Sequence, residues 1–258
     1  MNTIGIIPAR MAASRFPNKP LAPILGIPML GHVYFRSKMN KSLREVYIAT
    51  CDEEIKSYAK TIGAQCIMTK STHQRASDRT AEAMLKIENL RKKRVDLVVM
   101  IQGDEPMLTP QMIDAALRPF GQDKIIQVVN LMAPLEDQEE HRNINEIKVV
   151  VDRNQFALYF SRRAIPFVRA DAQAHPKFFK QVCIIPFRRD FLMKFNRLPS
   201  LPLEIAESVD MLRVLEHGFK VKMVLSPQMT FSVDTLDELK VVEKWMAQDP
   251  LIKRYERK

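Results

Sequence analysis

The sequence predicts an α/β protein built on a doubly wound sheet, and three observations predict it. TIGIIPA at 3–9 is a β-branched run broken by Pro8 and followed by a basic loop. DLVVMIQGDEP at 96–106 is a near-continuous apolar run ending in polar and acidic residues. Between the two, strand-like and helix-like segments alternate. A strand that is apolar throughout belongs to a parallel sheet covered on both faces, and the alternation implies right-handed βαβ crossovers.

Each element follows in order. The first strand feeds a long loop punctuated by Pro20, Pro23, Gly26 and Pro28, after which MLGHVYFRSKMN has Met29, Leu30, Val33 and Tyr34 at helical spacing. EVYIAT at 45–50 is a second strand. DEEIKSYAKTIGA predicts a helix with Asp52 at its N-cap, Ile55 and Ala59 on one face and Gly63 near its end. QCIMT is a third short strand. SDRTAEAMLKIENL predicts a helix with Ser77 and Asp78 as cap candidates and Ala81, Met84, Leu85 and Leu90 on its apolar face. The run at 96–106 is then a central strand that delivers a loop at its carboxyl end, where open α/β sheets bind ligands. KIIQVVNLM, IKVVVD and QVCIIPF predict strands that extend the sheet or form a lobe or an oligomer interface. SLPLEIAESVDMLRVLEHG predicts a helix with an acidic first half and a glycine stop, VKMVLS a strand, and VDTLDELKVVEKWM a helix capped by Asp234 or Thr235.

Composition narrows the class. A chain of 258 residues with 46% hydrophobic and 27% charged residues is globular, which excludes disordered, collagen-like and disulfide-dense proteins. Cys51, Cys66 and Cys183 lie far apart without metal or redox spacing, and the N-terminal apolar run is too short for a signal or a membrane span. Cytoplasmic residence is the expectation. The net charge of +10 suits nucleic acid, an anionic membrane or a small polyanion. Basic residues are scattered, as in NLRKKRV and IKRYERK, with no aromatic-interleaved basic ribbon, so neither nucleic acid nor membrane is expected as a partner. The tail IKRYERK reads as a solvated helix end.

Three constellations could carry chemistry. Arg10, Arg15 and Lys19 crowd the loop after the first strand, where they could neutralise a polyphosphate or form an ordinary solvated basic loop. Asp104 and Glu105 end the central strand, as Mg²⁺ ligands or as an acidic capping turn. Asp234, in SVDTLDEL, is a second candidate metal carboxylate or simply an N-cap. His32 and His73 read as surface or satisfied core histidines, the fifteen methionines as core filler, and Cys183 as no nucleophile.

IIPAR, SRFPNKPLAPILGIPML, YIATCDEEI, MTKSTHQRASDRTAEA, VVMIQGDEPML, KVVVDRNQFALYFSRRAIPF, PLEIAESVDMLRVLEHG and FSVDTLDEL resemble, in order and spacing, the blocks of CMP-Kdo synthetases, the 3-deoxy-manno-octulosonate cytidylyltransferases. The resemblance spans nearly the whole chain. It implies a Rossmann-like mixed sheet of the sugar nucleotidyltransferase type forming a single domain, 1–258, with 131–202 as a sub-lobe for sugar-acid binding and dimerisation. It also implies a homodimer that uses CTP, a small sugar acid and Mg²⁺, the anomeric hydroxyl attacking the α-phosphate and releasing pyrophosphate.

By the same resemblance Arg10, Arg15 and Lys19 would handle the triphosphate, joined in substrate binding by Pro8 and Ala9, while Asp104 and Asp234 would hold Mg²⁺. Gln102 would lie beside the sugar, Arg162 would pair with its carboxylate, and Glu204, Glu207 and Asp210 would line its pocket. His73, Ser77 and Arg79 belong to a segment that helps form the cytosine pocket. There the family's His-x-Ser-Gly-Thr-(Asp/Glu)-Arg appears with Arg75 and Ala76 in place of serine and glycine, which puts the choice of nucleotide in question. Cys51 stands where an aspartate is usual. Where the family has Arg-His-Leu-Gly-Ile-Tyr, this chain has Gln181 for the histidine and Ile185 for the tyrosine, which leaves open a variant acceptor: 8-amino-Kdo, another keto-acid sugar or a phosphonate. A non-catalytic nucleotide-binding homologue is the remaining alternative.

Overall fold

A computed structural model describes residues 1–12, 16–135, 137–171 and 176–256. The apolar first strand is β1 (Thr3–Pro8), buried throughout. Its loop contains a 3₁₀ turn at Lys19–Leu21 and a small hairpin, β2 (Pro23–Ile24) with β3 (Ile27–Pro28), which turns through Leu25 and Gly26 at φ 49° and 81°. There follow α1 (Met29–Lys38), β4 (Glu45–Thr50), α2 (Glu53–Thr61), β5 (Gln65–Met68), α3 (Ala76–Arg91), β6 (Leu97–Ile101) and α4 (Pro110–Gln122). The second half comprises β7 (Val129–Pro134), α5 (Gln138–Arg142), β8 (Lys148–Val151), β9 (Ala157–Ser161), β10 (Phe179–Val182), β11 (Ile184–Arg188) and α6 (Arg189–Phe195). It ends with α7 (Pro202–Glu207), α8 (Asp210–Glu216), β12 (Lys222–Leu225) and α9 (Leu236–Met246).

The first sheet has the order β11-β6-β1-β4-β5. β1 pairs parallel with β4 and β6, β4 with β5, and β11 joins antiparallel, so the sheet is mixed. The chain winds from β1 out to β5 and returns across it to β6, which makes the β1/β6 boundary a topological switch point. The second sheet, β12-β7-β10-β8-β9, is joined to the first through the Val128–Phe187 bridge. Within 131–202, β11 and α6 return to the first sheet, whereas β12 comes from outside that stretch. One core cluster spans both sheets, with Ile6 and Val98 from the first and Met132, Val149 and Phe160 from the second. Among the described residues no helix is long and apolar enough to cross a membrane.

Several local expectations are corrected. α3 begins one residue early, at Ala76, so Ser77 and Asp78 sit in its first turn and cap nothing; the Ser77 hydroxyl turns instead to Asp210, 3.4 Å away. Asp52 occupies the N-cap position of α2 without capping it, because its carboxylate accepts from the Met11 amide at 2.8 Å. Of the two caps expected for α9, Asp234 or Thr235, the helix uses Thr235, which accepts from the Glu238 amide at 3.2 Å while Glu238 reaches back to the Thr235 amide at 2.9 Å. QVCIIPF is two strands parted at Cys183, one in each sheet. The single helix expected over 200–218 is broken at Ser208, which is left-handed at φ 52°. The tail is not wholly solvated: among its described residues Ile252 and Tyr255 are buried in a third core cluster with Phe16, Ile24 and Val233, while Lys253, Arg254 and Glu256 are exposed.

Candidate active site

The loops at the carboxyl ends of β1 and β6 open onto one cavity of about 650 Å³. Asn18 takes a left-handed conformation and sets Lys19 at the start of its 3₁₀ turn. From there Lys19 Nζ donates to Asp104 Oδ2 at 2.8 Å, to Asp234 Oδ1 at 2.9 Å and to the Val233 carbonyl at 2.9 Å. The Val233 amide donates to the Asp104 carbonyl at 3.0 Å, which ties the two acidic loops through backbone as well. Burial alone would lower the Lys19 pKa, but the two carboxylates outweigh it and hold the ammonium above its ordinary range. Two carboxylates far apart in sequence are thus drawn to one cation on the cavity wall. Among the described residues no group of three or more His, Cys, Asp or Glu side chains is arranged to hold a metal ion.

Glu105, the other acidic candidate on this loop, also borders the cavity, but its carboxylate is bound into the fold. It is 2% exposed, accepts from the Cys183 amide at 2.9 Å and is met by the Thr230 hydroxyl at 3.3 Å, so it braces the junction of β10 and β11. Burial, then the charges of Glu105 and Asp104, push the thiol of Cys183 beside it well above the ordinary range, which disfavours the thiolate.

Of the residues expected at the site, Pro8, Ala9, Arg10, Lys19, His73, Arg79, Gln102, Asp104, Arg162, Gln181, Glu204, Asp210 and Asp234 line the cavity. Arg15 lies outside the described residues. Ser77 and Glu207 are not on the cavity wall. Glu207 is occupied in the fold, its carboxylate accepting from the Ser161 hydroxyl and the Arg162 amide at 2.8 Å each. Arg162 spends three donors on carbonyls, Nε on Glu207 at 2.7 Å, Nη1 on Ile144 at 3.1 Å and Nη2 on Ser208 at 3.3 Å. Glu204 is paired in two-pronged fashion with the buried Arg213, Oε2 to Nε at 2.7 Å, and although burial alone would raise its pKa, that arginine holds it below the usual value. Asp210 is driven the other way, upward, by burial. Arg79 is buried and bonds Thr69 and Cys51, and His73 bonds Glu82. His32 is a core histidine, bonded at both ring nitrogens.

Sequence reading missed Asn145 and Glu146 on the wall and Asn130 behind it. Gln181 Nε2 donates to Asn130 Oδ1 at 2.5 Å, and Asn130 Nδ2 donates to the Val182 carbonyl at 2.7 Å. A lone asparagine inside the apolar run VVNLM was the available signal. Glu146 pairs with the buried Lys180 at 3.0 Å, which also bonds Glu140. No local pattern marks that triad, because its members come from three separate elements or loops.

The pattern of the cytidylyltransferase family matches residues 4–224. A protein of Syntrophobacter fumaroxidans named 3-deoxy-manno-octulosonate cytidylyltransferase is 41% identical over 249 residues, covering 96% of this chain and 98% of its own. One of the same name from Syntrophotalea carbinolica is 39% identical over 250 residues, covering 94% and 98%. Among solved structures, a CMP:2-keto-3-deoxy-manno-octonic acid synthetase complexed with CTP superposes with a TM-score of 0.86 at 34% identity, covering 96% of this chain and 99% of that one.

Proposed function

Since the chain belongs to the cytidylyltransferase family, we propose that it transfers CMP from CTP to 3-deoxy-manno-octulosonate and releases pyrophosphate. The observation that carries this reading is the Lys19 ammonium held between Asp104 and Asp234 where the β1 and β6 loops open. Displacement at a phosphate asks for positioning and charge neutralisation more than for a covalent nucleophile. Lys19, kept charged by its two carboxylates, and Arg10, exposed on the same wall, supply cations for a triphosphate. Mg²⁺ takes few protein oxygens and completes its shell with water and phosphate, so the two carboxylates fit it. Asp104 and Asp234 would hold the ion, which when bound supplies Lewis-acid charge at the phosphates. On the acceptor side Gln102 and Asp210 offer hydrogen-bonding groups, and the remaining N–H groups of Arg162 suit a carboxylate.

Two features support further parts of the reading. The unpaired thiols Cys51, Cys66 and Cys183 suit a reducing, cytoplasmic setting. Leu158 on the edge strand β9 and Phe167 nearby in sequence are 62% and 87% exposed, which favours pairing of two copies through the 131–202 sub-lobe. One observation favours a second reading of the acceptor. Gln181 is bonded to Asn130 and Ile185 gives the wall an aliphatic face, so a sugar acid with altered substituents would find different partners here.

Pyrophosphate release with Mg²⁺ and CTP, measured on 3-deoxy-manno-octulosonate, its 8-amino analogue, a sialic acid and a phosphonate, tests both readings. Turnover is expected on the first and to fall about a hundredfold or more in Asp104→Asn without loss of the fold. Release only with another acceptor favours the second reading, and undiminished turnover in the variant removes the metal assignment. CTP binding without release from any acceptor leaves a non-catalytic binder.

A further inference from the structure

Three polar side chains lie inside the third core cluster, where the phosphate chemistry does not use them: His32, Arg36 and Tyr255 are 0%, 0% and 2% exposed. Their hydrogen bonds form a directed chain. His32 Nε2 lies 2.8 Å from the Ile24 carbonyl, which can only accept, so that nitrogen carries the proton. Burial, aided by the nearby Arg36 charge, lowers the imidazole pKa to about 4 and keeps it neutral. Nδ1 is therefore an acceptor, and the Tyr255 hydroxyl 2.8 Å away donates to it. The same hydroxyl accepts from Arg36 Nε at 2.8 Å, and Arg36 Nη1 pairs with Asp249 at 2.7 Å. Each group has one role open to it, and the chain runs from the C-terminal tail to the backbone of β2.

That backbone is the support of the cationic loop. The Ala22 amide donates to the Lys19 carbonyl at 3.1 Å, and the Met29 amide to the Ala22 carbonyl at 2.8 Å, so hairpin and 3₁₀ turn move together. The hairpin tip is also held, the Leu25 amide donating to Glu243 Oε1 of α9 at 2.8 Å. Phe16, before Lys19, and Val233, before Asp234, are seated in the same cluster as Tyr255. The tail therefore underlies both the lysine and one of the carboxylates it joins.

We infer that Tyr255, acting through His32, is a positioning residue for Lys19: it fixes the β2–β3 hairpin and so the place at which the ammonium meets the nucleotide's phosphates. This rests on the cytidylyltransferase reading. The requirement is geometric, since a displacement of about 1 Å at a charge-neutralising group can reduce rate by about a hundredfold.

The test is steady-state kinetics of full-length Tyr255→Phe beside the parent, with Mg²⁺, CTP and 3-deoxy-manno-octulosonate. The variant keeps the ring and deletes the hydroxyl, which leaves His32 Nδ1 and Arg36 Nε without their shared partner. KM for CTP is expected to rise about fivefold or more while KM for the sugar acid stays within about twofold. A merely structural role would move both Michaelis constants together or neither, and either result overturns the inference. Should the variant fail to fold, hydrogen exchange on the parent decides. Adding Mg²⁺ and CTP is expected to slow exchange at 249–255 together with 16–30, and slowing confined to 16–30 overturns the inference. A parent that neither binds CTP nor releases pyrophosphate overturns the functional reading and this inference with it, a result distinct from an active parent with no split between substrates.

Discussion

Glu105, a buried acid beside the candidate active site, should give the protein a pH dependence of its own. Burial first, and the Asp104 charge second, push its carboxyl up to about 7, against the opposing pull of the Cys183 amide and Lys180. Unfolded, the same group has the ordinary value of 4.5. Between those values the folded state binds the extra proton, so the contribution to stability is full below pH 4.5 and is lost as pH rises through 7. Over that window the loss is at most somewhat above about 3 kcal/mol. Glu105→Gln removes the titration while keeping an acceptor for the Cys183 amide. Urea unfolding at pH 5, 6, 7 and 8 should show the parent losing stability relative to the variant with rising pH, and parallel curves would show that Glu105 is ionised throughout. The sequence marked Glu105 as acidic and well placed, but could not show which of two adjacent carboxylates meets Lys19 and which is bound into the fold, since both border the cavity. Backbone direction after β6 decides that: Asp104 reaches Lys19, whereas Glu105 reaches the amide of a residue 78 positions away.

Among the elements, α1 and α2 meet at a point that small residues control. A Cβ added at Gly31 would overlap the Tyr58 hydroxyl and approach Ile27 Cγ2 at 3.0 Å. That hydroxyl is buried without a hydrogen-bond partner, and burial pushes its pKa up to about 12. An unsatisfied buried hydroxyl costs about 1 kcal/mol or more, so Tyr58→Phe should stabilise the protein by about that amount. Gly31→Ala alone should destabilise it, because overpacking by about 1 to 3 kcal/mol exceeds the roughly 1 kcal/mol of helix propensity gained. Combined with Tyr58→Phe the overlap with the hydroxyl is removed, leaving the ring carbon Cζ at 3.2 Å, and the double-mutant cycle should show coupling of about 1 kcal/mol or more. Additive values from chemical denaturation would contradict the contact. Periodicity identified α1, α2 and α3 but not the break between α7 and α8. The break has long-range causes: Glu207 is drawn to Ser161 and Arg162, while Glu216 accepts from the Leu203 and Glu204 amides, both at 2.9 Å, and so caps α7 from another helix. α4, β9 and the β2–β3 hairpin also went unread, the hairpin because two-residue strands carry no period.

At the scale of the whole molecule, the cavity exists only because both sheets contribute walls. Pro8, Arg10 and Asp104 come from the first sheet and its loops, Gln181 from β10 of the second, Glu204 and Asp210 from the helices between them. The doubly wound first half was legible because β1 and β6 are buried throughout and β4 nearly so, with mostly apolar side chains. The second half was only partly legible, because β8, β9 and β10 are short and only partly buried, with no regular alternation in β8 or β9, and β10 finds its partners β7 and β8 across a long connection. The first core cluster runs through both sheets, so the two should unfold as one unit. A nucleotide bound in this cavity then stabilises the entire chain. At a hundred times its dissociation constant, CTP with Mg²⁺ should add about 2.7 kcal/mol and raise the midpoint of a single transition. Asp104→Asn should abolish most of that shift while leaving the unliganded midpoint close to the parent's, since Asp104 sits at the cavity wall and outside the three core clusters. Calorimetry in which only part of the transition moves, or in which the parent melts in two separate steps, would mean that the sheets fold independently and that the nucleotide engages one of them alone.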